Sequence, residues 1–324
     1  MRGLRGFTER AYRFLTAPVI PGSRTRVMDL LLIVWFAVLA ALDLLKSVVN
    51  WALGWDSLIY VDAARAMLKG GDAWGPAGGA ALFAGPPTTL LPYFGFVWLP
   101  DPLIAAGGAA IAAACAIYVL RKLQLPGWWL LFPPVFVAIL AGSSALPVTA
   151  LIVRGGPIAE GFAVALRPYA VLPLAMLGRW RSIAVAGAIA VVTAPFLDWP
   201  RFLGKLDVIR DLLEDETGGG KSAAATWWLI PIAVACLFLL GRRRAAWLVV
   251  PALWPYAQMY YAVIALPIIA EVPLVAVALA MDFPGIVVVG LVAQVIVEPL
   301  RGRELGWRSG PGGAEALPRS AATG

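Results

Sequence analysis

The sequence predicts an all-α protein that crosses a membrane several times, and three observations support this. Hydrophobic residues make up 61% of the 324 residues and charged residues only 14%, whereas a soluble domain carries roughly 25% charged residues. Apolar runs suggest about nine to eleven hydrophobic segments, several of them approaching the roughly 20 residues that a spanning helix needs. The alternation typical of membrane β-barrel strands is absent, so helices must satisfy the backbone in lipid.

The composition excludes several classes of function. Histidine is absent, which excludes His-based triads and His-ligated metal sites. Cys115 and Cys236 lie in apolar runs, as small core residues do, rather than in a disulfide or metal-site pattern. The net charge of +7 comes from basic residues in short loops and tails, so we expect membrane lipids as partners and no nucleic acid. Proton transfer must use a carboxylate, tyrosine, lysine or water.

The basic residues also predict domain organisation and orientation. Residues 1–26 hold many arginines against one acid, Glu9, and the apolar run Val27–Val49 that follows is long enough to span. No signal-peptide cleavage site follows it, so we expect an uncleaved first helix with a cytoplasmic N-terminus in a bacterial inner membrane. The transmembrane domain then covers 27–300, and a disordered tail covers 301–324.

Two loops are predicted to lie on the outer side. The first, 51–100, leads into a proline-bracketed run over 86–102 that is too short for a full span and indicates a re-entrant or interfacial segment. The second, 198–222, has apolar residues at helical spacing and predicts an amphipathic interfacial helix. The last two segments are read as 262–280 and 285–300. Counting passes leaves the tail outside and its arginines favour the inside, so both alternatives stay open.

Three aspartates stand just past the first apolar run, in the stretch GWDSLIYVDAARAMLKGGDAW. Asp56 could cap a predicted helix over 57–69, which is worth about 1 kcal/mol. It could instead be a general base, because desolvation at a membrane cavity raises the proton affinity of a carboxylate. Asp62 can pair with Arg65 on the same helix face, and Asp72 follows two glycines as a turn residue does.

Two blocks of sequence carry a family resemblance. The first contains an aspartate after the first helix, an aromatic residue four positions on, a Gly-Asp-x-aromatic turn and a Pro-Pro pair, here Asp56, Tyr60, the sequence 71–74 and the pair 86–87. The second is EGFAVALRPYAVLPLAMLGRWR over 160–181. These blocks resemble GT-C membrane glycosyltransferases, and are closest to glycosyltransferase family 87, which includes polyprenol-phosphate-mannose-dependent mannosyltransferases.

The resemblance implies that a hexose, mannose in that family, moves with inversion from a polyprenyl-phosphate donor to a lipid or glycan acceptor at the outer face. Asp56 would be the catalytic general base, and Arg167, where the family usually has lysine, would bind the donor phosphate. No cofactor or metal is implied, because a guanidinium can hold a phosphate. The implied substrate-binding residues are Tyr60, Asp62, Arg65, Asp72, Trp74, Tyr93, Gln258, Tyr260 and Tyr261.

Simpler interpretations remain open beside this one. Arg167 could be an interfacial residue with its charge at the membrane surface, and the aromatic residues could form an interfacial belt. The family places a histidine in a late outer motif, and here WPYAQMYYAVIALP over 254–267 stands in the comparable place without one. The alternatives are therefore a lipid or sugar transporter or flippase, or a catalytically inactive GT-C homologue.

Overall fold

The structure is a computed structural model that describes residues 17, 26–49, 53–74, 83–217, 221–255 and 257–301. Every regular element in these ranges is an α- or 3₁₀-helix, which confirms the predicted all-α class. The basic segment 1–26, apart from residues 17 and 26, and the tail 302–324 lie outside the described residues.

The α-helices of the described ranges are α1 (Val27–Val49), α2 (Trp55–Leu68), α3 (Asp101–Lys122), α4 (Pro133–Leu140), α5 (Ala145–Arg154), α6 (Pro157–Leu166), α7 (Val171–Met176), α8 (Trp180–Thr193), α9 (Trp199–Gly204), α10 (Leu206–Thr217), α11 (Ile230–Leu240), α12 (Arg242–Leu253), α13 (Pro273–Leu279) and α14 (Ile286–Val297). The 3₁₀-helices are Pro87–Leu90, Tyr93–Phe96, Gly127–Leu131, Pro168–Ala170, Ala223–Ala225, Trp227–Leu229, Met259–Glu271 and Glu298–Arg301.

Two or three of these helices indicate membrane association. Val27–Ser47 and Asp101–Lys122 are long and apolar enough to cross a bilayer, and α4 with α5 makes a third candidate if this pair, bent by 116°, is one span. Further apolar helices of the described ranges are 10–17 residues long, shorter than the roughly 20 residues of a full span. The run over 86–102 forms two short 3₁₀ turns before α3, in keeping with its predicted short length.

The segment 262–280, which the sequence predicts as one hydrophobic segment, is divided between two helices. The 3₁₀-helix Met259–Glu271 has 13 residues and, at a rise of about 2.0 Å per residue, extends about 26 Å. It ends at Glu271, and α13 begins at Pro273 after Val272, because proline is preorganised for the first turn of a helix and cannot continue the preceding hydrogen bonds.

Ion pairs show which ends of these helices meet. Glu271 pairs with Arg244 at 3.4 Å, and Glu298, after α14, pairs with the same arginine at 3.0 Å. Asp282, between α13 and α14, pairs with Lys221 at 3.0 Å. The end of α14 therefore lies beside the start of α12, at the end of the protein that holds the arginines 242–244. Of the two alternatives for the tail, this position agrees with the one that its arginines favour.

The predicted amphipathic helix over 198–222 is also two helices. The Asp198 carboxylate accepts a hydrogen bond from the Arg201 backbone N–H at 3.3 Å and caps α9, which ends at Gly204, while α10 restarts at Leu206. Glycine inside a helix costs about 1 kcal/mol relative to alanine, which explains a break here. Lys205, at the break, pairs with Asp72 at 3.1 Å and fastens this helix pair to the first loop.

Candidate functional site

Asp56 lies in the first turn of α2 and does not cap it. The cap position belongs to Gly54, whose backbone is left-handed (φ 68°), and no side chain caps the helix. A Cβ at Gly54 would lie 2.3 Å from the Cα of Ala105 in α3, so only glycine permits this close approach. The capping interpretation of Asp56 is therefore wrong, and the helix predicted over 57–69 begins at Trp55.

The turn between α4 and α5 fixes the start of α2. The Asp56 backbone N–H donates to the Ala141 carbonyl at 3.0 Å, and the Ser57 hydroxyl donates to the Gly142 carbonyl at 2.9 Å. These bonds satisfy groups at a helix end that would otherwise lack partners. They hold the backbone of Asp56 against the turn between α4 and α5, and so limit the positions that the Asp56 carboxylate can occupy.

Arg167 is positioned by the end of α6. Its backbone is extended (φ −143°, ψ 105°), as the following proline favours. The hydroxyls of Thr88 and Thr89, in the proline-bracketed run, donate to the carbonyls of Ala165 at 2.5 Å and Leu166 at 2.7 Å. Because these carbonyls end a helix and need partners, the run caps α6 and determines where Arg167 emerges.

Three hydroxyl groups hold the Arg167 guanidinium. Its Nε–H donates to the Ser144 hydroxyl at 2.7 Å, one terminal nitrogen donates to the Tyr261 hydroxyl at 3.3 Å, and the other donates to the Tyr60 hydroxyl. The guanidinium carbon also lies 5.2 Å and 5.6 Å from the centroids of the Tyr60 and Tyr261 rings, within cation–π range. A guanidinium has five N–H donors, so two remain for a ligand.

Asp56 faces this guanidinium without touching it. Its Oδ2 lies 3.8 Å from a terminal nitrogen of Arg167, and the two side chains are 4% and 9% exposed. This distance exceeds hydrogen-bond range, and Oδ2 has no hydrogen-bond partner. Burial raises the pKa of the Asp56 carboxyl above its ordinary value, against the opposing effects of Arg167 and of the Ser143 and Tyr260 hydroxyls.

A cavity of about 200 Å³ joins the two charges. Phe202 of α9 and Leu213 of α10 contribute apolar parts of its wall, so the second predicted outer loop borders the cavity. Six residues named from the sequence as catalytic or binding residues line it: Asp56, Tyr60, Arg167, Gln258, Tyr260 and Tyr261. The pairing of Asp56 with Arg167 across one cavity excludes a purely interfacial, lipid-facing position for this arginine.

The other sequence-predicted residues do not line this cavity. Arg65 pairs with Asp62 at 2.9 Å and with Asp101 at 2.8 Å, and donates to the Leu99 carbonyl at 2.6 Å. This cluster joins α2 to the start of α3. Asp62 and Arg65 therefore have a structural role that accounts for them without a substrate.

Asp72, Trp74 and Tyr93 also have structural partners. The Asp72 carboxylate accepts from the Trp74 backbone N–H at 3.0 Å, as a turn residue does. Trp74 is 1% exposed and its indole N–H donates to the Gly85 carbonyl at 3.0 Å. Tyr93 packs its ring 4.8 Å from that of Tyr60 and lines a different cavity.

That second cavity lies between α2, α3 and the turn Tyr93–Phe96. It has a volume of about 90 Å³, and its walls are apolar apart from Ser57 and the Tyr93 hydroxyl. Leu103 and Ile111 of its wall are also exposed on the surface of α3. A polar cavity and an apolar one therefore lie on two sides of the same short helix.

Sequence reasoning missed several residues of the polar cavity. Tyr169 and Trp254 line it, and Ser144 holds Arg167. Tyr169 stands two residues after Arg167 in the block used for the family resemblance, and Ser144 belongs to the break between α4 and α5. These residues could have been found from their positions, because a buried hydroxyl beside a charged residue or at a helix break needs a polar partner.

No family model matches the chain, and no curated protein or solved structure matches it either. The fold and the site define its class as an all-helical, membrane-associated protein with a buried carboxylate–guanidinium pair in a polar cavity. The GT-C resemblance is an expectation from the sequence blocks alone.

Proposed function

We propose that the protein is a GT-C-type membrane glycosyltransferase that moves a hexose, with mannose the first candidate, from a polyprenyl-phosphate donor to a hydroxyl of a lipid or glycan acceptor. The observation that carries the proposal is the buried pair of Asp56 and Arg167, 3.8 Å apart at one cavity. The reaction takes place at the outer face of a bacterial inner membrane.

The chemistry divides between the two charges. Asp56 Oδ2 accepts the proton of the acceptor hydroxyl while the oxygen of that hydroxyl bonds to the anomeric carbon of the sugar. The bond from that carbon to the donor phosphate oxygen breaks, and the lipid phosphate leaves with the electron pair, so the anomeric configuration inverts. A positioned base contributes roughly 10²- to 10⁴-fold to the rate, and the raised pKa of Asp56 improves its match to this task. The proton then passes to water.

Arg167 supports the departure of the phosphate. The leaving phosphate gains negative charge in the transition state, and preorganised donors in a water-poor site stabilise that charge. Arg167 is already held by three hydroxyls, so little of its side-chain freedom is lost on binding, and its two remaining N–H groups can bond phosphate oxygens.

The surroundings of the site suit a lipid-linked donor. Phe202 and Leu213 border the polar cavity and can contact the first part of a prenyl chain, because burial of apolar surface stabilises the chain there. Exposed apolar side chains on α9 and α10, Leu203, Leu206 and Val208, are typical of helices that lie in a membrane interface.

The proposal is tested with purified protein in lipid nanodiscs, labelled polyprenyl-phosphate mannose and a lipid extract as acceptor source. We expect label to move into a new glycolipid or glycan, and Asp56→Asn to abolish that transfer. Asp62→Asn is the matched control, because this carboxylate lies on the same helix, is 44% exposed and does not line the cavity.

Two outcomes would contradict the proposal. One is unchanged transfer by Asp56→Asn under conditions in which the parent protein is active. The other is movement of the intact labelled donor across proteoliposome membranes with no glycosidic product, which would instead identify a transporter.

A further inference from the structure

Several buried polar atoms lack a partner in the part of the chain that the structure describes, and they concentrate at one place. Five such side-chain atoms occur among those residues. Three of them, Asp56 Oδ2, the Tyr169 hydroxyl and Gln258 Oε1, belong to residues that line the polar cavity. Buried polar atoms in folded proteins nearly always have a partner, so this concentration indicates that a ligand supplies the missing partners.

We propose that the Tyr169 hydroxyl and the Gln258 side-chain carbonyl form a subsite that recognises hydroxyl groups of the donor sugar. The inference rests on the proposed function and extends it to two residues that have no role in the proposed catalysis or phosphate binding. It also assigns the orientation of the donor in the cavity: the phosphate lies at Arg167, and the sugar hydroxyls lie at Tyr169 and Gln258.

The hydrogen-bonding character of the unpaired atoms selects the ligand group. A carboxylate oxygen and an amide oxygen only accept hydrogen bonds, and a tyrosine hydroxyl both donates and accepts. The partner of the carboxylate and amide oxygens must therefore bring O–H or N–H donors. An ionised phosphate diester has none, so it suits Arg167, whereas the hydroxyls of a sugar can donate to all three oxygens.

The local structure fixes these two oxygens relative to the charged pair. Tyr169 lies on the 3₁₀ turn Pro168–Ala170 that directly follows Arg167, and its ring packs against those of Tyr261 at 4.7 Å and Trp254 at 6.2 Å. Gln258 directly precedes the 3₁₀-helix Met259–Glu271 that carries the tyrosine next to Asp56. Tyr169 thus stands two residues after Arg167, and Gln258 stands two residues before Tyr260, whose hydroxyl lies 3.5 Å from Asp56 Oδ1.

The size of the cavity agrees with a single sugar unit. Its volume is about 200 Å³, below the ~300 Å³ at which pockets for drug-sized ligands begin. A site built from buried hydrogen-bonding groups discriminates strongly against ligands that lack the matching group, because its polar atoms are then left unpaired.

The test is a comparison of two soluble short-chain probes, citronellyl phosphate and citronellyl-phosphate-linked mannose. Binding to the full chain in nanodiscs is measured by calorimetry for the parent protein, Tyr169→Phe and Gln258→Leu. The matched control is Tyr118→Phe, because Tyr118 is 40% exposed on α3 and does not line the cavity. Thermal unfolding is recorded for every variant.

We expect each subsite variant to weaken binding of the mannosylated probe about tenfold, as loss of one hydrogen bond with a stranded partner does. Binding of citronellyl phosphate should stay unchanged, and Tyr169→Phe should unfold no earlier than the parent, because it removes a hydroxyl without a partner. An ordinary structural role for Tyr169 would instead lower the unfolding temperature and weaken both probes equally.

The outcomes separate this inference from the proposed function. Equal binding of the mannosylated probe by parent and variants overturns the subsite, even where sugar transfer is found. Weakened binding in the variants with no transfer by the parent supports the subsite and contradicts the catalytic proposal. Failure of the parent to bind the mannosylated probe overturns both.

Discussion

Replacing Asp56 by asparagine separates the charge of this side chain from its shape, and the structure sets the expected size of the effect. Asp56 Oδ2 lies 3.8 Å from the Arg167 guanidinium, and both side chains are buried. At an effective dielectric constant of ~20, two unit charges at this distance attract by about 4 kcal/mol. The neutral amide removes the cost of burying a carboxylate, which opposes this attraction.

The raised pKa of Asp56 indicates that desolvation outweighs this attraction, so Asp56→Asn alone should not lower the free energy of unfolding. A double-mutant cycle of Asp56→Asn with Arg167→Gln isolates the attraction, and we expect a coupling of about 3 kcal/mol. Tryptophan fluorescence during denaturant unfolding in detergent measures this coupling. The control cycle of Asp62→Asn with Arg65→Gln breaks a half-exposed pair and should give less than about 1 kcal/mol.

Asp56→Glu keeps the charge and moves it by one methylene. The coupling to Arg167 should then persist in part, whereas sugar transfer should fall about 100-fold because a misplacement of ~1 Å is enough to lose that much. A coupling between Asp56 and Arg167 no larger than that between Asp62 and Arg65 would refute the electrostatic reasoning. Parent-like transfer by Asp56→Glu would refute the claim that the position of this carboxylate matters.

Three further predictions follow from the same features. Arg167→Lys keeps a charge but loses the planar fork, so donor affinity should fall about tenfold or more in the binding assay. Because burial raises the pKa of Asp56 and the base must be ionised, transfer should decline tenfold per pH unit below an apparent pKa higher than that of an exposed aspartate, and an acid limit at the ordinary value would contradict this. In a cysteine-free background, Ser309→Cys should react with an impermeant thiol reagent from the same membrane side as Gly127→Cys and from the opposite side to Gly95→Cys, because the end of α14 lies beside the arginines 242–244; labelling together with the latter would refute this placement of the tail.

The sequence predicted the charged pair because charge is rare in this chain and therefore conspicuous. Asp56 and Arg167 each stand at the boundary of an apolar segment, where a charge needs a partner or a function. The ion pairs of Asp62 and Asp72 with Arg65 and Lys205 could not be separated from binding roles in the sequence, because a partly exposed aspartate has the same appearance in both cases.

The positions of the remaining site residues depend on turns and helix breaks, which leave no periodic pattern in the sequence. Tyr169 enters the cavity through a single 3₁₀ turn, and Ser144 reaches Arg167 because α4 and α5 are bent by 116° at their junction. The division of 262–280 into the 3₁₀-helix Met259–Glu271 and α13 is likewise absent from the apolar pattern. The apolar run continues on both sides of Glu271, so hydropathy alone does not mark the break before Pro273.

The gap between Asp56 and Arg167 is set by the scaffold. The guanidinium is held by Ser144, Tyr60 and Tyr261, and the Asp56 backbone is bound to the turn after α4. Were the two side chains free to meet, a contact near 2.8 Å would lower the pKa of Asp56 and use up the donors of Arg167. Held at 3.8 Å, the carboxylate keeps an unpaired oxygen and the guanidinium keeps spare N–H groups. Each charge stabilises the other through space while both remain able to bind a ligand between them, which is the arrangement that a base and a leaving-group cation acting on one substrate require.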